Sequence, residues 1–424
     1  MSRKLIYKGI DWIGLVPDDW NFQKGKYLFQ QRSERGNSVE LQLLSPTQKF
    51  GCIPQSLYEE LTGANAVKLN EKTNLNLLKT IHVGDYCISL RSFQGGFEYS
   101  NYEGVVSPAY QVFYPIGNNI CRGYYKYMFK DGAFIDKMNS FTLSLRDGKN
   151  IAFADFGNTL LPLPSISEQQ TIADYLDKKT AEIDAAITES KSLIDKYKAY
   201  KQSIITEAVT KGMNPNVKMK DSGMEWLKFV PVHWLMIPNK YIMYKVKEIQ
   251  DIYQGENIIS LSTDGVKVRD LDAGGKMPTS FDGYQRIKPN RLLMCLFDMD
   301  VTPRCIGLIK DEGLTSPAYS QFVLKGKGYA PYYYYYYLSL DFEKTLVHLA
   351  KNLRHSLTED QLGAIKVPVP PLSEQRQIAD HLDTKCSQID AIISQKEQLV
   401  TQLQEYKKSI IFEYITGKKE VPNA

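Results

Sequence analysis

Pro162-Leu-Pro-Ser-Ile-Ser-Glu-Gln-Gln170 decides how this chain is read, because Pro368-Val-Pro-Pro-Leu-Ser-Glu-Gln-Arg376 repeats it 206 positions later. Under that shift, and without a gap, Ser167 meets Ser373, Glu168 meets Glu374, and Ile172-Ala-Asp174 meets Ile378-Ala-Asp380. The register holds through Leu176-Asp177 with Leu382-Asp383, Ile183-Asp-Ala185 with Ile389-Asp-Ala391, and Ser203-Ile-Ile205 with Ser409-Ile-Ile411. Internal repetition outranks local propensity, since it governs the whole architecture.

Each copy carries the marks of a helix start. Prolines end the preceding segment, Ser167 or Ser373 is placed to cap the first turn, and Glu168 or Glu374 faces the positive end of the helix dipole. The pattern that follows is a heptad. Its first copy reads Ile183, Ile187, Ser190, Ile194, Tyr197, Lys201, Ile204 and Ala208. The second reads Ile389, Ile393, Lys396, Val400, Leu403, Lys407, Ile410 and Tyr414. Steps alternating between 4 and 3 give a narrow coiled-coil seam rather than a broad core-facing stripe. A helix from about 168 to 211 is roughly 65 Å long at 1.5 Å per residue. A single amphipathic helix buried in one domain is the ordinary alternative, but matched lengths and matched polar breaks favour two helices pairing with each other.

Bulk properties narrow the class. A chain of 424 residues with 43% hydrophobic and 24% charged content is expected to hold two or three globular domains. No apolar run reaches membrane-spanning length, and Met1-Ser-Arg-Lys4 has no apolar signal core behind it. Six cysteines without a C-x-x-C pair suggest neither a disulfide frame nor a zinc site, so a reduced, cytoplasmic setting is expected. The net charge of +4 divides unevenly. Residues 1–166 hold 18 basic and 15 acidic side chains, 213–372 hold 20 and 17, and each helical block (167–212 and 373–424) holds 7 and 8. The excess of positive charge lies in the globular parts, which is compatible with an anionic partner.

A second echo, shifted by 214, links Gly9-Ile-Asp-Trp-Ile-Gly-Leu-Val-Pro-Asp-Asp-Trp20 to Gly223-Met-Glu-Trp-Leu-Lys-Phe-Val-Pro-Val-His-Trp234. It contains all four tryptophans, and it reads as a hydrophobic clasp fastening each globular part to a helix end. Ser-Pro-Ala-Tyr recurs unchanged at 107–110 and 316–319, where Tyr110 and Tyr319 are expected as packed strand residues entered through a proline turn. A Tyr-rich helix follows each, Tyr124-Tyr-Lys-Tyr-Met-Phe129 and Pro331-Tyr-Tyr-Tyr-Tyr-Tyr-Tyr-Leu338. Between these anchors the halves diverge. Gln94-Gly-Gly-Phe-Glu-Tyr-Ser-Asn-Tyr102 has no counterpart in Asp298-Met-Asp-Val-Thr-Pro-Arg-Cys305. A shared scaffold with unshared loops implies two similar α/β (α+β) domains that read different things.

Ser-Pro-Ala-Tyr has some likeness to the Asn/Asp/Ser-Pro-Pro-aromatic motif of amino-methyltransferases. The second proline is missing, and neither Gly95-Gly96 nor Gly274-Gly275 makes the Gly-rich turn that a methyl-donor site needs. There is no phosphate loop of the G-x-x-x-x-G-K-[ST] form and no His pair at metal-ligand spacing. The six-tyrosine run could stack bases, yet consecutive positions face all round a helix, so part of it belongs to a core. Basic groups in turns remain as candidate DNA contacts: Arg91, Arg146, Lys149, Lys276, Arg286, Arg304, Arg354 and His355. Arginine suits base edges and lysine suits phosphates. A solvated surface charge is the plain alternative for each.

The doubled Pro-x-Pro…Ser-Glu-Gln…Ile-Ala-Asp…Leu-Asp…Ile-Asp-Ala pattern, with the Trp…Val-Pro…Trp segments, resembles the specificity subunits of type I restriction–modification enzymes over the whole chain. That resemblance implies target recognition domains at 1–166 and 213–372. It also implies conserved helices at 167–212 and 373–424 that form an antiparallel coiled coil with a pseudo-two-fold internal repeat. It implies a non-catalytic chain that binds a bipartite, asymmetric duplex DNA target. The implied partners are two methyltransferase subunits, which use S-adenosylmethionine, and restriction (motor-nuclease) subunits, which use ATP and Mg²⁺, leaving no cofactor in this chain. Connectivity points the same way: if each globular part begins and ends near one helix end, the second helix must run back along the first. A coiled-coil adaptor with two protein-binding domains shares this architecture and is the competing function.

Overall fold

The computed structural model describes residues 3–36, 41–64, 75–88, 97–141, 151, 153–272, 278–350 and 355–422. They form two compact units, Met1–Ser190 with Gln398–Ala424, and Lys191–Glu397. Each unit therefore combines one globular part with part of each long helix. No helix among the described residues is long and apolar enough to cross a membrane.

The first unit is built on a four-stranded sheet in the order Phe97–Tyr99, Tyr86–Ile88, Gln111–Pro115, Phe29–Gln31. Beside it lie a three-stranded sheet (Gly104–Val106, Leu78–Ile81, Arg35–Gly36) and the hairpin Leu44–Thr47 with Gly51–Pro54. The second unit repeats the plan: Ile306–Leu308, Leu292–Met294, Ser320–Leu324 and Met243–Val246 form its four-stranded sheet. Every ladder between these strands is antiparallel, so the units are of α+β type. In each unit a two-stranded ribbon leads into a long helix, Asn21–Lys24 with Leu160–Leu163, and Leu235–Pro238 with Lys366–Val369.

The long helices run Ile166–Lys211 and Leu372–Ile415. The expected caps Ser167 and Ser373 lie inside the first turn instead. In the first copy the hydroxyl of Ser165 accepts the Glu168 N–H at 3.2 Å; in the second, Pro371 stands at that place. In the first unit Ile183 and Ile187 share a core with Val400, Ile410 and Tyr414, and Leu403 packs against it. Lys407 Nζ donates to both carboxylate oxygens of Asp184 at 2.7 Å, and the rings of Tyr175 and Tyr414 lie 4.6 Å apart. Pairing 175 with 414 and 184 with 407 makes the helices antiparallel in this unit. In the second unit Ile194, Ile389 and Ile393 form the seam with Tyr197 and Ile204. Lys201 bonds Asp390 at 2.6 and 2.7 Å, and Lys198 approaches Glu397 at 3.9 Å, again in the antiparallel sense. Lys201 and Lys407 are thus seam lysines whose stems lie along the interface while their ammonium groups reach a partner outside it. Half-exposed pairs of this kind add little stability; their contribution is to register.

Ser107-Pro-Ala-Tyr110 and Ser316-Pro-Ala-Tyr319 are turns between strands, not parts of strands. Ser107 Oγ accepts the Ala109 N–H at 3.4 Å and its carbonyl accepts the Tyr110 N–H at 3.0 Å; Ser316 does the same at 3.3 and 3.2 Å. Proline favours the turn and the serine side chain completes it. Tyr110 and Tyr319 still pack on small cores from these turns.

The six tyrosines lie in the helix Ala330–Phe342, and Tyr332, Tyr333, Tyr336 and Tyr337 are fully buried. They are pins rather than a stacking surface. Tyr332 donates to the carbonyl of Val209 at 3.0 Å, Tyr333 to that of Pro368 at 3.2 Å and Tyr335 to Asp383 at 2.6 Å. Burial pushes the Tyr332 and Tyr333 phenols well up, so they stay neutral donors.

Candidate nucleic-acid interface

The helix-start motif encodes a clamp. Gln169 is fully buried; its Nε2 donates to the carbonyls of Asn119 (3.0 Å) and Pro164 (2.9 Å), and its Oε1 accepts the Cys121 N–H at 2.8 Å. Gln375 repeats this with Lys327 (2.8 Å), Pro370 (2.9 Å) and the Tyr329 N–H (2.9 Å). In each unit the clamp ties a long helix to the loop that opens the Tyr-rich helix. Tyr124 then reaches the carbonyl of Ile415 at 2.6 Å, as Tyr332 reaches Val209, so each unit grips the start of one long helix and the end of the other. Trp20 closes the first clasp by donating to Glu168 at 3.0 Å, with Arg3 also paired to Glu168. In the second clasp His233 takes the place of that donor, 2.8 Å from Glu374, and the indole N–H of Trp234 has no partner among the described residues.

On the sheet the frame is kept while the charges change. The Tyr110 carbonyl accepts from Lys79 at 2.6 Å in the first unit, and Tyr319 accepts from Gln285 at 2.7 Å in the second. Glu34 accepts from His82 at 3.0 Å; its counterpart Glu248 accepts from Lys288 at 2.9 Å and Arg291 at 2.7 Å, which hold its carboxyl below the usual range. Buried Asp85 pairs with Arg32 at 2.7 Å, whereas its counterpart 206 positions on is Arg291, paired with Glu248. The charge at this one position is thus changed in sign between units that share a scaffold, while Glu34 and Glu248 keep theirs. Recognition surfaces that differ on a common frame need this combination.

Five of the eight candidate DNA contacts, Arg91, Arg146, Lys149, Lys276 and Arg354, lie outside the described residues. Arg286 is half-exposed, donates to Gln250 Oε1 at 2.7 Å, and stands 3.4 Å from both Glu256 and Glu312. The guanidinium of Arg304 donates to the carbonyls of Ile306 (3.0 Å) and Thr263 (3.0 Å) and to the Tyr334 hydroxyl (2.6 Å). His355 sits in the left-handed backbone region at φ 42° with Nδ1 3.0 Å from Asp300, whose carboxyl it holds low. The seam residues Ile183, Ile187, Ile194, Tyr197, Ile204, Ile389, Ile393, Val400, Leu403 and Ile410 all lie in the helix–helix cores described above. The sequence reading missed the Gln169 and Gln375 clamps. The available signal was a glutamine kept in both copies, on the face of the helix that also carries Ile172 and Ile378.

The family model of the type I restriction modification DNA specificity domain matches residues 55–193 and 308–402, more than half of the chain. The specificity subunit of the type I restriction enzyme MjaVIII of Methanocaldococcus jannaschii is 25% identical over 308 residues, which cover 67% of this chain and 68% of that protein. That of the type I restriction enzyme EcoBI of Escherichia coli is 23% identical over 310 residues, covering 68% of this chain and 64% of its own length, just under two thirds. Among solved structures, a chain from work on complex assembly and conformational transition of the type I R-M system aligns with a TM-score of 0.70 at 12% identity. It covers 95% of this chain and 99% of that one. The HsdS subunit of Thermoanaerobacter tengcongensis aligns with a TM-score of 0.51 at 13% identity, covering 95% and 98%. These structures speak to fold, and the family match speaks to kinship. The match over more than half of the chain places it in the type I restriction–modification DNA specificity family, as a specificity subunit and not a catalyst.

Proposed function

We propose that each unit reads one half of a bipartite, asymmetric duplex DNA target, with the paired long helices setting the distance between the halves. On this reading 1–166 and 213–372 are the recognition domains, and 167–212 and 373–424 are the spacer helices with a pseudo-two-fold relation. The observation that carries it is the pairing of repeated clamps, Gln169 with Gln375 and Tyr124 with Tyr332, with a sheet surface on which Asp85 of one unit is replaced by Arg291 in the other. A frame kept twice beside a surface changed once suits two different half-sites better than a palindrome. Arg286, Arg304 and His355, with the five candidates in the remaining loops, are the first positions to test for DNA contact. Two methyltransferase subunits carrying S-adenosylmethionine, and restriction subunits using ATP and Mg²⁺, would assemble on this chain and supply the chemistry.

Inserting one heptad into both long helices tests the spacing. At 1.5 Å per residue the helices lengthen by about 10 Å, or about three base pairs at 3.4 Å each. Mapping modified adenines in a host carrying that variant should return unchanged half-sites separated by a correspondingly longer spacer. An unchanged spacer in an active complex would reject the helices as the ruler. An assembled complex that shows no salt-dependent binding to duplex DNA would favour the protein-binding adaptor instead.

A further inference from the structure

Many side chains that the two units share, such as Gln169 and Gln375 or Tyr124 and Tyr332, are buried and bonded inside the unit. Lys26-Tyr27 and Lys240-Tyr241, 214 positions apart, are shared and yet exposed. Tyr27 is 58% and Tyr241 61% exposed, and each pair lies between buried neighbours, Gly25 and Leu28 in one unit, Asn239 and Ile242 in the other. Each ammonium stands 5.3 Å from the centroid of its own tyrosine ring. Among the described residues no carboxylate pairs with Lys26 or Lys240.

The mounting is also repeated. Gly157, in the helix Phe153–Asn158, lets Lys26 come so close that an added Cβ would stand 3.3 Å from the Cβ of the lysine; Gly363, in Glu359–Ala364, faces Lys240 in the same way, where a Cβ would stand at an ordinary 3.5 Å. A second cation accompanies each pair. Lys24 faces Leu160 on one ribbon, and on the other the same rung is Pro238 facing Lys366. Residues directly opposite on antiparallel strands lie about 5 Å apart, so the charge has changed strand without leaving the rung. Internal packing would fix the strand; a contact with something outside needs only the place.

We propose that Lys26–Tyr27 and Lys240–Tyr241 are matched phosphate clamps, one per unit, that hold the backbone of duplex DNA without regard to its sequence. This rests on the reading of the chain as a duplex-DNA reader. Phosphate contacts position a protein on the duplex while base contacts specify, so the first kind can be common to two domains whose base-reading loops differ. An ammonium and a phenol both donate to phosphate oxygens. Protein interfaces are depleted in lysine, and two lysines beside one tyrosine suit a polyanion better. Acidic groups stand on the supporting helices, Asp155 in one unit and Glu359 and Asp360 in the other, with Glu359 4.0 Å from Lys245.

The test uses the full chain assembled with its methyltransferase subunits and a labelled 40-base-pair duplex of random sequence, titrated from low to physiological salt. Lys26→Ala with Lys240→Ala should make the slope of log affinity against log salt shallower by about 1.8, at about 0.9 per phosphate released. Tyr27→Phe with Tyr241→Phe should weaken binding without altering the slope. Melting temperatures should match the parent, since all four side chains are exposed. A steep slope in the parent that survives in the lysine variant overturns the clamps while leaving the DNA-reading function intact. So does loss of subunit assembly at an unchanged slope, which would mark a protein-docking patch. A parent complex with no salt-dependent DNA binding removes both.

Discussion

Gln169→Ala is expected to lower the melting temperature of the first unit by roughly 6–12 °C, and Gln375→Ala that of the second by a similar amount. Each glutamine is fully buried and satisfies two carbonyls and one amide. Removing one side of a buried bond costs the desolvation of the group left behind, on the order of 1–3 kcal/mol. Three groups at one site, partly relaxed, come to about 3 kcal/mol, or roughly 2–4 °C per kcal/mol for a unit of this size. The local signature is sharper than the melt. In Gln169→Ala the Cys121 amide should lose protection from hydrogen exchange while the Tyr329 amide keeps it, and Gln375→Ala should do the reverse. Undiminished protection of both amides would show that the glutamines are not the clamps.

Glu98 gives the second large effect. It is 2% exposed, paired with Lys130, and burial pushes its carboxyl up to about 7 against the opposing pull of that lysine. The folded state therefore holds a proton that the unfolded chain has released above about pH 4.5. Stability is greatest below that value and falls as pH rises toward 7. Over that window the loss is about 3 kcal/mol, at 1.36 kcal/mol per pH unit. Glu98→Gln removes the titration, and Lys130 keeps a bond to the Gln48 carbonyl at 3.2 Å. The stability of the parent relative to the variant should decline between pH 4.5 and 7.5, measured by denaturant unfolding at fixed ionic strength. A difference that does not change with pH would mean that Glu98 is ionised throughout.

Much of this frame was legible along the chain. The repeat and the heptad are periodic properties of side chains, and they led to the two helices and their seam. The helix start was read two residues late. Ser165-Ile-Ser-Glu168 has capping-box spacing, but the prolines around it drew attention to Ser167. Tyr110 and Tyr319 read as strand residues beyond a proline turn because their flanks are apolar; the bond from the Tyr110 N–H to the Ser107 carbonyl that keeps the tyrosine in the turn is a local geometry that the residue types permit without requiring. The surface was the least legible part. Arg32 meets Asp85, and Arg291 meets Glu248, across 53 and 43 positions. Only the fold shows that Asp85 and its counterpart Arg291, opposite in charge, each find a partner. Arg304 looked like a free loop cation because its carbonyl partners leave no trace in residue type.

The first unit is completed by Gln398–Ala424, whereas the second is one continuous stretch, Lys191–Glu397. A ribosome therefore finishes the middle of the protein before its beginning. Tyr124 must wait through 291 positions for the carbonyl of Ile415, and until then the earliest-made sheet stands beside half a helix pair with its apolar seam in water. A released chain ending at residue 397 should be protease-resistant in its later half and open to cleavage in its earlier one, the opposite of the order in which the two are translated.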